Sequence, residues 1–146
     1  MPIGRPAPSP AQPPLSAGEG LARALTEVAA GGASPAVSQQ IERLLAEGRD
    51  RVALALACAR FHDQLSERFP ELAELLAAAL VEAGIQEVRP DGLPFDGELH
   101  EAVDTTPTDD PDAHDTVAET VRAGYLDGDQ VLRVPQVVVY RREPPS

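Results

Sequence analysis

Lysine is absent from the 146 residues, so all twelve basic side chains are arginine, set against 24 acidic ones for a net charge of -12. A surface this acidic repels phosphate backbones and anionic headgroups, which argues against nucleic acid and membrane surfaces as partners. Without lysine there is also no P-loop or Schiff-base residue, and neither a GxSxG elbow nor a phosphate-cradling glycine loop occurs. One cysteine, Cys58, leaves no disulfide framework and no CxxC pair for zinc, and suits a reducing, cytoplasmic setting. Tryptophan is missing and aromatics make up only 3% of the chain, thin for a large globular core. The longest near-continuous apolar run, residues 52–59, is too short to span a bilayer. Residues 1–14 lack the apolar core of a signal peptide.

Alanine, leucine, proline and acid are plentiful. Residues 1–17, rich in proline and small residues, read as a disordered tail in preference to a docking peptide. A short helix is expected over 19–30, with Leu21, Leu25 and Val28 on one face and Gly31-Gly32 as its stop. Ser34-Pro35 is an N-cap followed by a proline at the first helical position. From there Val37, Ile41, Leu44, Leu45, Val52, Leu56, Ala59 and Leu65 recur mostly at helical steps. This predicts one helix over 35–68, about 50 Å long, with Gly48 as the point where it would divide. Residues 52–59 are apolar on every side and need cover on every side, which predicts a second copy of the chain. Pro70 opens another helix, with the stripe Leu72, Leu75, Leu76, Ala79 and Leu80 running to a stop at Gly84.

Beyond Gly84 helical periodicity gives way to strand and turn signals. Strands are expected near 99–105 and 116–124, with a hairpin turn at Asp127-Gly128 and two short strands bent at Pro135. This region is the acidic one, holding 14 Asp and Glu against 5 Arg in residues 85–146. Asp104, Asp109, Asp110, Asp112 and Asp115 crowd one loop, but their spacing lacks the glycine and closing glutamate of an EF-hand. A solvated hairpin tip is the expected role, and no metal or other cofactor is assigned. His100, between Leu99 and Glu101, reads as a structural imidazole and not a catalytic base. With no buried carboxylate pair in view, the chain reads as a protein that binds and not as an enzyme.

The order Phe95-Asp96, His100, Ala102-Val103, Gly124-Tyr125, Leu132-Arg133, Val137 and Val139 closely resembles the C-terminal β-domain signature of the GrpE family of nucleotide exchange factors. The similarity runs over residues 69–141. It implies an α+β fold in which N-terminal helices form a dimeric stalk or bundle, followed by a small all-β wing. The implied division is a tail at 1–17, a dimerisation region at 18–84 and a chaperone-binding wing at 85–146. The implied partner is the ATPase domain of a DnaK-type chaperone, whose ADP release the wing promotes. Val121, Gly124, Tyr125, Gln130, Arg133 and Val139 take the partner-binding positions. Ile41, Leu44, Val52, Leu56, Leu72, Leu76 and Leu80 are assigned to a homodimer interface. The chain departs from the family at Gly97, where proline is usual, at Pro135, where a small residue is usual, and at Gln130, where arginine is common. The stalk is short and lacks the family's basic-aromatic segment. A non-exchanging interaction module on the same scaffold is therefore the alternative.

Overall fold

A computed structural model describes residues 17–143. The stretch read as a tail falls outside them except for Ala17, which opens the first helix. The chain divides into two compact units, Met1–Ala83 and Gly84–Ser146.

The first unit holds four helices: α1 (Ala17–Ala30), α2 (Pro35–Glu47), α3 (Arg51–Leu65) and α4 (Pro70–Glu82). Leu21, Ala22, Ala24, Leu25 and Val28 bury one stripe of α1, the three- and four-residue spacing that an amphipathic helix requires. The Ser34 hydroxyl accepts hydrogen bonds from the Ala36 and Val37 amides and so caps α2. Ser38 donates to the Ala29 carbonyl at 2.7 Å, tying the start of α2 to the end of α1.

The single helix expected over 35–68 is two helices. Gly48 adopts φ 150 and ψ -179, a region open essentially to glycine alone. Two residues later the Asp50 carboxylate accepts from the Ala53 amide at 3.0 Å and starts a new helix. Arg51, in the first turn of α3, donates through Nη2 to the Ala83 carbonyl at 2.7 Å, satisfying an acceptor at the end of α4.

Most of the all-round apolar segment finds cover within one chain. α3 packs against both α1 and α4, and α1 packs against α2 and α4. Leu54, Ala55, Ala57, Cys58, Ala59, Phe61 and Leu65 are all buried as a result. Within residues 52–59, Val52 and Leu56 remain half-buried and Ala53 is exposed. Burial raises the Cys58 thiol from 9.0 to about 12 by desolvation. We expect Cys58 in the native protein to resist alkylation at pH 8 and to react at a normal rate in denaturant, as a stopped alkylation time course would measure. Because the folded value is the higher one, this group's contribution to stability is complete below pH 9 and falls away as pH rises toward 12.

The second unit holds six strands in two sheets of three. β1 (Ile85–Val88), β4 (Gly124–Asp127) and β5 (Gln130–Arg133) form an antiparallel sheet in the order β1-β4-β5. β2 (Glu101–Thr108), β6 (Gln136–Arg142) and β3 (Val117–Arg122) form the other, with β6 central, parallel to β2 and antiparallel to β3. Asp127 faces Gln130 across a two-residue turn, as the Asp-Gly signal predicts. Val134 and Pro135 carry the chain from one sheet to the other. Val117, Val137 and Val139 form the core of the β6 sheet, with Phe95 packed against them.

The expected hairpin around the acidic segment does not form, since β2 and β3 do not pair and β6 lies between them. The loop from Asp109 to Thr116 instead crosses an intervening strand, and no group of acidic, histidine or cysteine side chains among the described residues is arranged to hold a metal. Asp115 in this loop has φ 65 and pairs with Arg141 at 3.0 Å. That contact and the hydrogen bond from the Arg142 amide to His114 Nδ1 fasten the crossing loop to the end of β6.

Candidate partner-binding surface

Five of the six residues assigned to partner binding lie on the β4-β5-β6 path. Gly124 opens β4 where the chain passes within reach of the β5–β6 link. A Cβ placed there would lie 2.5 Å from Pro135 Cδ, 2.6 Å from its nitrogen and 2.8 Å from the Arg133 carbonyl oxygen. Two of these are backbone atoms, so only glycine fits. Arg133 donates from Nε and Nη2 to the Ala123 carbonyl at 3.0 and 2.7 Å, and its guanidinium lies 5.1 Å from the Tyr125 ring centroid. Gly124, Tyr125, Arg133 and Pro135 thus form one cluster that fixes the entry to β4 and the passage from β5 to β6. Pro135, noted in the sequence only as a bend and a departure, is the residue against which Gly124 is fitted.

Burial divides the assigned set. Val121, on β3, is 56% exposed, and Gln130, at the start of β5, is also exposed. Arg133 is half-buried. Gly124 and Tyr125 are buried, and Val139 is fully buried at 0% exposure in the β6 core. A residue with no accessible surface meets no partner, so Val139 supports the surface from beneath. Its row of apolar neighbours, Val137 to Tyr140, hid this, because an unbroken apolar run does not say which face is covered. Val121 and Gln130 stand on different sheets, and together they are the exposed members of the set.

His100 acts as expected of a structural imidazole. Its Nδ1 accepts the Asp96 amide hydrogen bond at 3.1 Å, its ring lies 5.8 Å from Phe95, and the Asp96 carboxylate accepts from the Glu98 amide at 2.9 Å. The turn before β2 is therefore closed by its own side chains, which explains why Phe95, Asp96 and His100 occur at that spacing.

The residues assigned to dimerisation differ in burial. Ile41, Leu76 and Leu80 are buried, and Leu44, Val52, Leu56 and Leu72 are half-buried. The exposed apolar side chains of α4 are Val81, at 73%, and Leu75, at 37%. Sequence periodicity does not separate these from their buried neighbours, since the whole helix is rich in leucine and alanine. Among the described residues no helix is long and apolar enough to cross a membrane.

Comparison with known proteins adds two findings. The model of the GrpE family matches residues 33–141, from the turn before α2 to within β6. Over 64 residues the chain is 47% identical to a protein of Fructilactobacillus sanfranciscensis named Protein GrpE, covering 44% of this chain and 36% of that protein. The match thus spans about a third of that relative's length.

Proposed function

The chain belongs to the GrpE family, and from that footing we propose that it is a co-chaperone that binds the ATPase domain of a DnaK-type chaperone and promotes ADP release. The family match across both units is the observation that carries this reading. The β unit acts as a wing that binds the open form of the nucleotide cleft more tightly than the closed form. Each tenfold loss of ADP affinity requires about 1.4 kcal/mol of such preference. Val121 and Gln130 are the contact residues, held in place by the Gly124, Tyr125, Arg133 and Val139 framework.

The test is release of a fluorescent ADP analogue from a DnaK-type chaperone of the same source, with and without the protein. Marked acceleration is expected. Val121→Asp, an exposed position whose change leaves the fold intact, is expected to weaken chaperone binding roughly tenfold or more, because an unpaired carboxylate is forced into the interface. Unchanged binding by the folded variant would place the contact elsewhere. Val139→Asp is unsuited to this test, since it strikes the core.

One observation favours a second reading. Gln130 places a neutral side chain where the family commonly has arginine, which removes a charge contact and suits a module that binds without opening the cleft. Binding with no acceleration of ADP release, regained in Gln130→Arg, would establish that reading.

The family reading also makes the protein a homodimer joined through its helical unit, with exposed Leu75 and Val81 on α4 as the free apolar surface. Sedimentation equilibrium is expected to give a dimer at micromolar concentration. A stable folded monomer under those conditions would remove this part of the proposal.

A further inference from the structure

The two outer strands of the β2-β6-β3 sheet each carry one exposed valine, Val103 at 45% and Val121 at 56%. Both sit where the ladder changes register. On β2, Ala102 pairs with Val137 and Asp104 with Val138, so Val103 is left without a register partner on β6. On β3, Thr120 pairs with Val137 and Arg122 with Gln136, so Val121 is passed over in the same way. Each valine is the extra residue of a bulge, an irregularity that bends a strand and re-aims a side chain. The two bulges flank one residue of the central strand, Val137.

Alternation along the strands sets the side on which they stand. Val137 and Val139 are fully buried, with Phe95 packed against them, and Thr120, level with Val137, donates a hydrogen bond to Asp91 of the 90–100 connection. That side of the sheet is the covered one. Successive residues of a strand point to opposite faces, so Val103, next to Ala102, and Val121, next to Thr120, belong to the face of Val138. There Val138 is only half-buried, and Asp104 and Glu119, each level with it, are exposed. Val103, Val138 and Val121 thus lie on three adjacent strands of one open face, the outer two about 10 Å apart at the usual strand spacing. Single exposed valines need no explanation. Two raised by matching bulges on either side of one strand are different, since neither adds to the core of the sheet.

Val121 by itself is a small anchor, and the contacts that carry an interface cluster together. We infer that Val103 is a further contact residue for the chaperone, which meets the open face of this sheet at Val103, Val138 and Val121 together. The inference rests on the proposed function, in which Val121 is a contact. An apolar centre bordered by the charged Asp104 and Glu119 has the usual anatomy of a protein interface.

The full-length protein, deuterated and labelled with 13C at its valine methyls, is mixed with the unlabelled ATPase domain of a DnaK-type chaperone of the same source, and the chaperone's protons are saturated. Signal loss is expected at Val103 and Val121, and much less at Val117, Val137 and Val139 beneath them. Val103→Asp is expected to weaken chaperone binding about tenfold with an unchanged melting temperature, because the carboxylate would be buried unpaired in the contact. Transfer to Val121 with none to Val103 would overturn the inference and leave the proposed function standing. Binding with transfer to neither valine would overturn the whole assigned face. Failure of the unaltered protein to bind the ATPase domain would instead remove the proposed function, and this inference with it.

Discussion

Gly124→Ala is expected to unfold the β unit while the helical unit keeps its structure. The added methyl carbon would have to occupy space 2.5–2.8 Å from the Pro135 ring, the Pro135 nitrogen and the Arg133 carbonyl. A flexible side chain can swing away from such a clash, but a proline ring and two backbone atoms cannot do so without displacing the link between the sheets. Overpacking of this kind costs about 3 kcal/mol or more where the surroundings are rigid. A unit of this size holds only some 3–9 kcal/mol of net stability. The link also aligns the Arg133 bonds to Ala123, so displacing it undoes those as well. In an amide correlation spectrum the dispersed β-strand signals should collapse while helical ellipticity at 222 nm persists. A variant that melts with the wild type would show that the entry to β4 yields more easily than the geometry indicates. Chaperone binding should be lost with the β unit, a consequence that rests on the proposed function.

Phe61→Ala is expected to produce the largest loss in the helical unit. Phe61 is fully buried on α3 and is the largest side chain in that core. Truncating a buried phenylalanine removes its transfer free energy and leaves a cavity, together about 3–5 kcal/mol. The neighbouring core is built largely of alanine and leucine, with few long side chains to collapse into the space. Arg60 also stacks its guanidinium 4.8 Å from the Phe61 ring centroid, a contact that the variant loses. Urea denaturation followed at 222 nm measures the effect. Phe61→Leu, which keeps most of the volume, should cost no more than about 1.5 kcal/mol. Equal losses in the two variants would show that ring stacking, and not cavity formation, dominates at this site.

Local signals in the sequence carried most of the helical elements. Ser34-Pro35 and Pro70 mark helix starts by chemistry that acts within a few residues, and both helices begin there. The break at Gly48 was harder to decide, because hydrophobic periodicity passes through it and only the backbone conformation of one residue separates one helix from two. What cannot be read locally is which distant segments meet. Residues 52–59 look unpartnered until α1 folds over them, and β2 gives no sign that its parallel partner lies some thirty residues further along. The partner-binding set illustrates the same limit. The signature residues are identifiable by type and spacing, but their division into exposed Val121 and Gln130 and buried Tyr125 and Val139 depends on sheet packing.

The central place of β6 has a consequence for synthesis on the ribosome. Both outer strands of its sheet are made first, yet neither has a neighbour to pair with until residues 136–142 emerge. The helical unit is complete by residue 83, about sixty residues earlier. At roughly 5–20 residues per second, translation leaves an interval of about 3–12 s in which a finished helical unit trails an unpaired β segment. During that interval β2 and β3 are open edges, and Glu101 and Asp104 on β2 and Glu119 on β3 place charge along them, which disfavours wrong edge-to-edge pairing.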